Sequence, residues 1–124
     1  MTKLYEKLSV GGVEYDLKIS TANAVQLETE LKTDILSGLD NILQINVLAQ
    51  YYFAALKGQN DSINTINDVY TLFDDAILEG RTYDELQQLI VKVLVVSGIM
   101  TQEAYDTSKK AMEKQREALQ KLLN

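Results

Sequence analysis

The chain contains no cysteine, histidine, proline or tryptophan. Without cysteine there is no disulfide, no thiol nucleophile and no thiolate metal site. Without histidine it lacks the commonest transition-metal ligand and the usual general base near neutral pH. The two absences together remove most zinc chemistry and the Ser-His and Cys-His nucleophile pairs. Long apolar runs are also missing. The longest, around residues 89–96, is short and holds Lys92, whereas a membrane span needs about 20 apolar residues. The first seven residues lack the apolar stretch of a signal peptide. Basic charge is scarce, with 12 Lys and Arg against 18 Asp and Glu, net −6. An acidic chain with no basic stripe is a poor match for nucleic acid, whose affinity comes mainly from phosphate neutralisation. The expectation is a cytoplasmic protein with no membrane, nucleic-acid, metal or cofactor partner.

What remains is ordinary globular material: 124 residues, 46% hydrophobic and 24% charged. That is the length of one domain, able to bury roughly two thirds of its unfolded surface.

Gly11-Gly12 reads as a two-residue hairpin turn. Val10 then faces Val13, Leu8 faces Tyr15, Glu6 faces Leu17 and Leu4 faces Ile19, an apolar face except for Glu6. On the other face Ser9 meets Glu14, Tyr5 meets Lys18, and Lys7 meets Asp16 as a favourable cross-strand pair. A lone hairpin is barely stable in water, so the apolar face must lie on helices. The glycine pair is no phosphate cradle, because a strand follows it instead of a helix.

Helical periodicity follows. Ser20 or Thr21 caps a first helix reaching about Lys32, with Ala24, Leu27 and Leu31, together with Val25, on one face. A short turn is expected around residues 35–39. Residues 45–57 form a second long helix with Ile45, Leu48, Ala49, Tyr52 and Leu56 inward and Gly58 as its stop. Thr65 caps a third, favoured by Asp68, with Ile66, Val69, Tyr70, Phe73, Ala76 and Ile77 as its stripe. Thr82 and Glu85 suit a reciprocal capping box for a fourth, running down Leu86, Leu89, Ile90, Val93, Leu94 and Ser97. Its many β-branched residues also suit strands, but cap and length favour helix. From Thr101 a fifth begins, with Tyr105, Met112 and Leu119 seven residues apart. The fold class is therefore α+β, predominantly helical: an N-terminal β-hairpin (residues 1–20) on a bundle of about five helices. The helical body spans residues 21–100 and a C-terminal amphipathic helix residues 101–124, in a single domain of residues 1–124.

Asp68, Asp74, Asp75 and Glu79 resemble the acids of a cation site, but they fall on a helix whose other face is apolar and read as a solvated surface. Tyr51, Tyr52 and Phe53 occupy successive helical positions and point different ways, so one or two fill the core while Tyr51 or Phe53 is left for a partner. The Tyr105, Met112 and Leu119 stripe packs on this domain or lies in the groove of another chain. It is too short to stand alone as a coiled coil. No acid pair has the surroundings of a catalytic dyad.

Together the patches Val13-Glu14-Tyr15-Asp16-Leu17-Lys18-Ile19-Ser20-Thr21, Ala24-Val25-Gln26-Leu27-Glu28, Leu48-Ala49-Gln50-Tyr51-Tyr52-Phe53-Ala54-Ala55-Leu56 and Thr65-Ile66-Asn67-Asp68-Val69-Tyr70-Thr71-Leu72-Phe73-Asp74 resemble the tail assembly chaperones of long-tailed bacteriophages and prophages. The likeness covers about residues 10–100 and leaves out the helix after Thr101. It implies a non-enzymatic protein of the host bacterial cytoplasm. Such a protein binds the tape measure protein, recruits tail tube subunits and self-associates. The candidate partner-binding residues are Tyr51, Phe53, Tyr105, Met112 and Leu119. Two other readings compete: a small acidic prophage adaptor or inhibitor, motivated by seven acids against Arg81 in residues 61–85, and a structural tail component.

Overall fold

The computed structural model describes residues 3–123, apart from the side chains of residues 112 and 116. Two strands, β1 (Glu6–Val10) and β2 (Val13–Leu17), pair antiparallel in the expected register, Val10 with Val13 through Glu6 with Leu17. Gly11 and Gly12 both take positive φ (61° and 76°), the geometry that matches the twist of a tight hairpin. Lys7 reaches Asp16 at 2.6 Å and Glu14 at 2.9 Å. Hydrogen bonds to these two carboxylates, Asp16 first, hold its ammonium charged well above the usual lysine range. Lys18 lies over the Tyr5 ring.

Strand pairing stops at Glu6 and Leu17, so Leu4 does not meet Ile19. The chain beyond Leu17 leaves the ladder for the helices: the Lys18 amide donates to the Ala55 carbonyl, and the Ile19 amide to the Ser97 hydroxyl. Ile19 is buried, whereas Leu4 is 63% exposed.

The helices are α1 (Thr21–Leu31), a single turn α2 (Ile35–Gly38) running into a 3-10 turn (Leu39–Asn41), α3 (Ile45–Leu56), α4 (Ile66–Leu78), α5 (Tyr83–Val96) and α6 (Gln102–Leu123). This is an α+β, predominantly helical fold, with a hairpin laid on helices. Helix α3 is the hub: it packs against α1, α4, α5 and β2. Its Leu48, Ala49, Tyr51, Tyr52, Ala55 and Leu56 are buried all round, as a central helix requires. Tyr52 meets Phe73 of α4 edge-on at 5.1 Å, and Phe73 meets Tyr83 in the same way at 5.9 Å. Both hydroxyls of the buried tyrosine pair are used. Tyr51 donates to the Ile35 carbonyl and Tyr52 to the Leu86 carbonyl.

Polar loop residues complete the sheet. The Asn60 carboxamide donates to the Asp16 carbonyl at 2.8 Å and accepts from the Asp16 amide at 3.0 Å, as a third strand would. Gln59 donates to the Lys18 carbonyl at 2.8 Å. The outer edge of β2 is thus covered rather than left open. At the far end Arg81 donates to the Ser9 carbonyl, and Glu79 accepts from the Gly11 amide, fastening the hairpin turn to the α4–α5 loop.

Candidate docking surfaces

Among the described residues, a groove and a helix present apolar side chains to solvent. The first is a groove of about 660 Å³ walled by α1, α3 and the first turns of α4. Its apolar lining is Val25 and Leu27 of α1, Phe53 and Ala54 of α3, and Ile66 and Tyr70 of α4. Glu30 and Lys57 are its charged residues. Lys57 is committed locally: its ammonium contacts Gln26 and lies 5.5 Å from the Phe53 ring centroid.

The groove exists because α1 and α4 carry more apolar residues than their core faces use. Leu27 is the one fully buried residue of α1, and Val25 points away from the core, 59% exposed. In α4 the core face is Val69, Leu72, Phe73 and Ala76. The expected stripe was rotated: it omitted Leu72 and included Tyr70 and Ile77, which are 41% and 38% exposed. Ile66, Tyr70 and Ile77 form a second stripe at helical spacing, with Asp74 between them. That second stripe was visible as an excess of apolar residues, since eight apolar positions in the thirteen of α4 are more than one buried face takes.

The second surface is α6. Only Tyr105 and Ser108 among its described side chains are even half-buried, and Tyr105 is the residue of this helix that packs against the core. Leu119, Leu122 and Leu123 are 59%, 84% and 78% exposed. Near its root, a shallow cleft of about 510 Å³ lies between β1, α5 and α6, where the Glu6 carboxylate is paired with Lys3 at 2.9 Å.

The five candidate partner-binding residues therefore separate. Phe53 lines the groove. Leu119 lies on the free part of α6, and Tyr105 at its anchored root. Met112 falls outside the described side chains. Tyr51 is a correction: it is wholly buried, its hydroxyl is spent on Ile35, and it presents nothing to a partner. Burial, with Asp34 nearby, pushes its phenol well above the ordinary tyrosine value. Burial does the same for Tyr52.

The acids of residues 61–85 are partly spent on structure. Asp68 accepts the amides of Asn64 and Thr65 at 2.8 and 2.9 Å, which hold its carboxyl below the usual range. Glu79 holds the hairpin turn, and Asp84 accepts from Gln88. Among the described residues no three His, Cys, Asp or Glu side chains converge on a possible metal position. Nor is any helix there long and apolar enough to cross a membrane. In comparisons with protein families, curated proteins and solved structures, nothing matches this chain.

Proposed function

We propose that this protein is a tail assembly chaperone of a long-tailed bacteriophage or prophage, acting without catalysis in the host bacterial cytoplasm. It binds the tape measure protein, keeps that long helical chain from aggregating, and brings tail tube subunits to it. The sequence likeness over residues 10–100 supports this reading. The observation that carries the reading physically is the α1–α3–α4 groove, an apolar trough whose residues exceed what the core needs. A trough of this kind receives an amphipathic helix through anchors at i, i+3, i+4 and i+7. A client held only by such contacts is released again when a better-packed assembly takes its apolar face.

Coexpression tests this. With the tape measure chain encoded among the neighbouring tail genes, the protein is expected to keep the tape measure soluble and to copurify with it. The Phe53→Ala variant should lower the recovered tape measure several-fold. Insoluble tape measure with and without the protein would overturn the reading. So would recovery of a nucleic-acid enzyme in its place.

A further inference from the structure

We infer that the distal half of α6 docks in trans, into the α1–α3–α4 groove of a second copy of this chain. The inference stands apart from the chaperone reading, because it concerns the protein alone.

The helix and the groove are complementary, and neither is satisfied within one copy. Helix α6 is about 33 Å long at the standard rise, yet among its described side chains Tyr105, at its root, is the one packed against the core. In proteins most of a helix's stability comes from tertiary packing of its apolar face. That face exists in Leu119 and Leu122 and has nothing beneath it. The groove has the converse lack: Val25, Phe53, Ile66 and Tyr70 line it, and none of the described residues of α5 or α6 does. Within a copy α6 packs on α5.

Charge selects the occupant. Residues 107–124 carry five bases and two acids, whereas residues 1–100 carry seven bases and fourteen acids. Two distal α6 segments side by side would each bring net charge +3 to a short seam. The body of another copy offers net charge −7. At the receiving surface Glu30 lies on the groove wall and Asp74 continues the Ile66–Tyr70 stripe, while the single base there, Lys57, is laid flat on Phe53. Lys114 and Lys121 of the incoming helix thus meet carboxylates rather than one another. Reciprocal exchange of α6 between two copies closes a dimer, and one-way insertion passes on to further copies.

The test is light scattering on the full chain after gel filtration. The unaltered protein should exceed the 14.0 kDa of one copy, with mass rising with concentration. Leu119→Asp with Leu122→Asp, at exposed helical positions, should give the monomer. So should Val25→Glu on the groove wall, with Tyr70→Ser as a second groove variant and circular dichroism to show that helix content is kept. Mixing the α6 variant with a groove variant should restore a one-to-one heterodimer, since one still offers a groove and the other a helix. A monomeric unaltered protein would overturn the inference, as would a folded variant of either kind that keeps the parent mass. A mixture that stays monomeric would also overturn it, whereas pairing of α6 with α6 would leave the groove variants at the parent mass.

Discussion

Gly38 and Tyr51 are fitted to one another. A Cβ at Gly38 would come within 2.5 Å of the Tyr51 hydroxyl oxygen and 3.0 Å of Leu31. The tyrosine cannot yield freely, because that hydroxyl holds the Ile35 carbonyl of the same short turn. Gly38→Ala should therefore cost about 1–3 kcal/mol, the usual range for overpacking. Tyr51→Phe removes the obstructing oxygen. In that background the alanine should cost less, although the phenylalanine alone loses about 1 kcal/mol for the hydrogen bond. Urea unfolding of the two single variants and the double variant reads this coupling directly. The same hydroxyls make stability pH-dependent. Tyr51 and Tyr52 are held neutral in the folded state, with pKa raised, so their contribution is full below the unfolded value near 10 and is lost as pH rises beyond it. Unfolding monitored between about pH 9 and 12 should show stability falling, and less steeply in Tyr51→Phe and Tyr52→Phe.

Helix ends carry the next set of consequences. Asp68 closes the first turn of α4 by accepting two amides, so its depressed carboxyl stabilises the fold above the unfolded value near 3.9 and ceases to do so as pH falls through the folded value. Asp68→Asn should lower stability at neutral pH, because a neutral amide oxygen replaces the carboxylate that accepts the Asn64 and Thr65 amides. It should also flatten the acid limb of a stability–pH curve. The reciprocal box expected at Thr82 and Glu85 is found here instead, at Thr65 and Asp68. At Thr82 the hydroxyl accepts from the Glu85 amide at 3.2 Å. Hairpin register, element order and most caps were legible in the sequence because each depends on neighbours in the chain. Two kinds of feature were not. That Leu72 rather than Tyr70 or Ile77 turns inward beside Phe73 depends on how α4 packs on α3, not on spacing within α4. The clasp of Asn60 on Asp16 joins residues 44 apart and leaves no periodic mark. Of the candidate partner-binding residues, Phe53 lines the groove and Leu119 is exposed, whereas the burial of Tyr51, beside Gly38, left no mark in the sequence. At a concentration low enough to keep single copies, removing residues 107–124 should leave the thermal midpoint of the body within a few degrees, since among the described side chains core contact from α6 comes through Tyr105. A large fall in the midpoint would place the distal helix on its own body.

At the scale of the molecule, an acidic body with an open trough carries a near-neutral helix whose far half is basic. The two proposals meet at that trough. A client helix that enters it displaces α6 of the neighbouring copy, so adding a soluble amphipathic segment of the tape measure chain should lower the self-associated mass in light scattering. A mass unchanged while the segment binds would place the client elsewhere. The central claim is that other chains dock between α1 and α4. Its most direct test is a photoreactive residue at Val25, in cells that also make the tape measure chain. An adduct of this protein with the tape measure is expected. Copurified tape measure with no adduct from Val25 would contradict it.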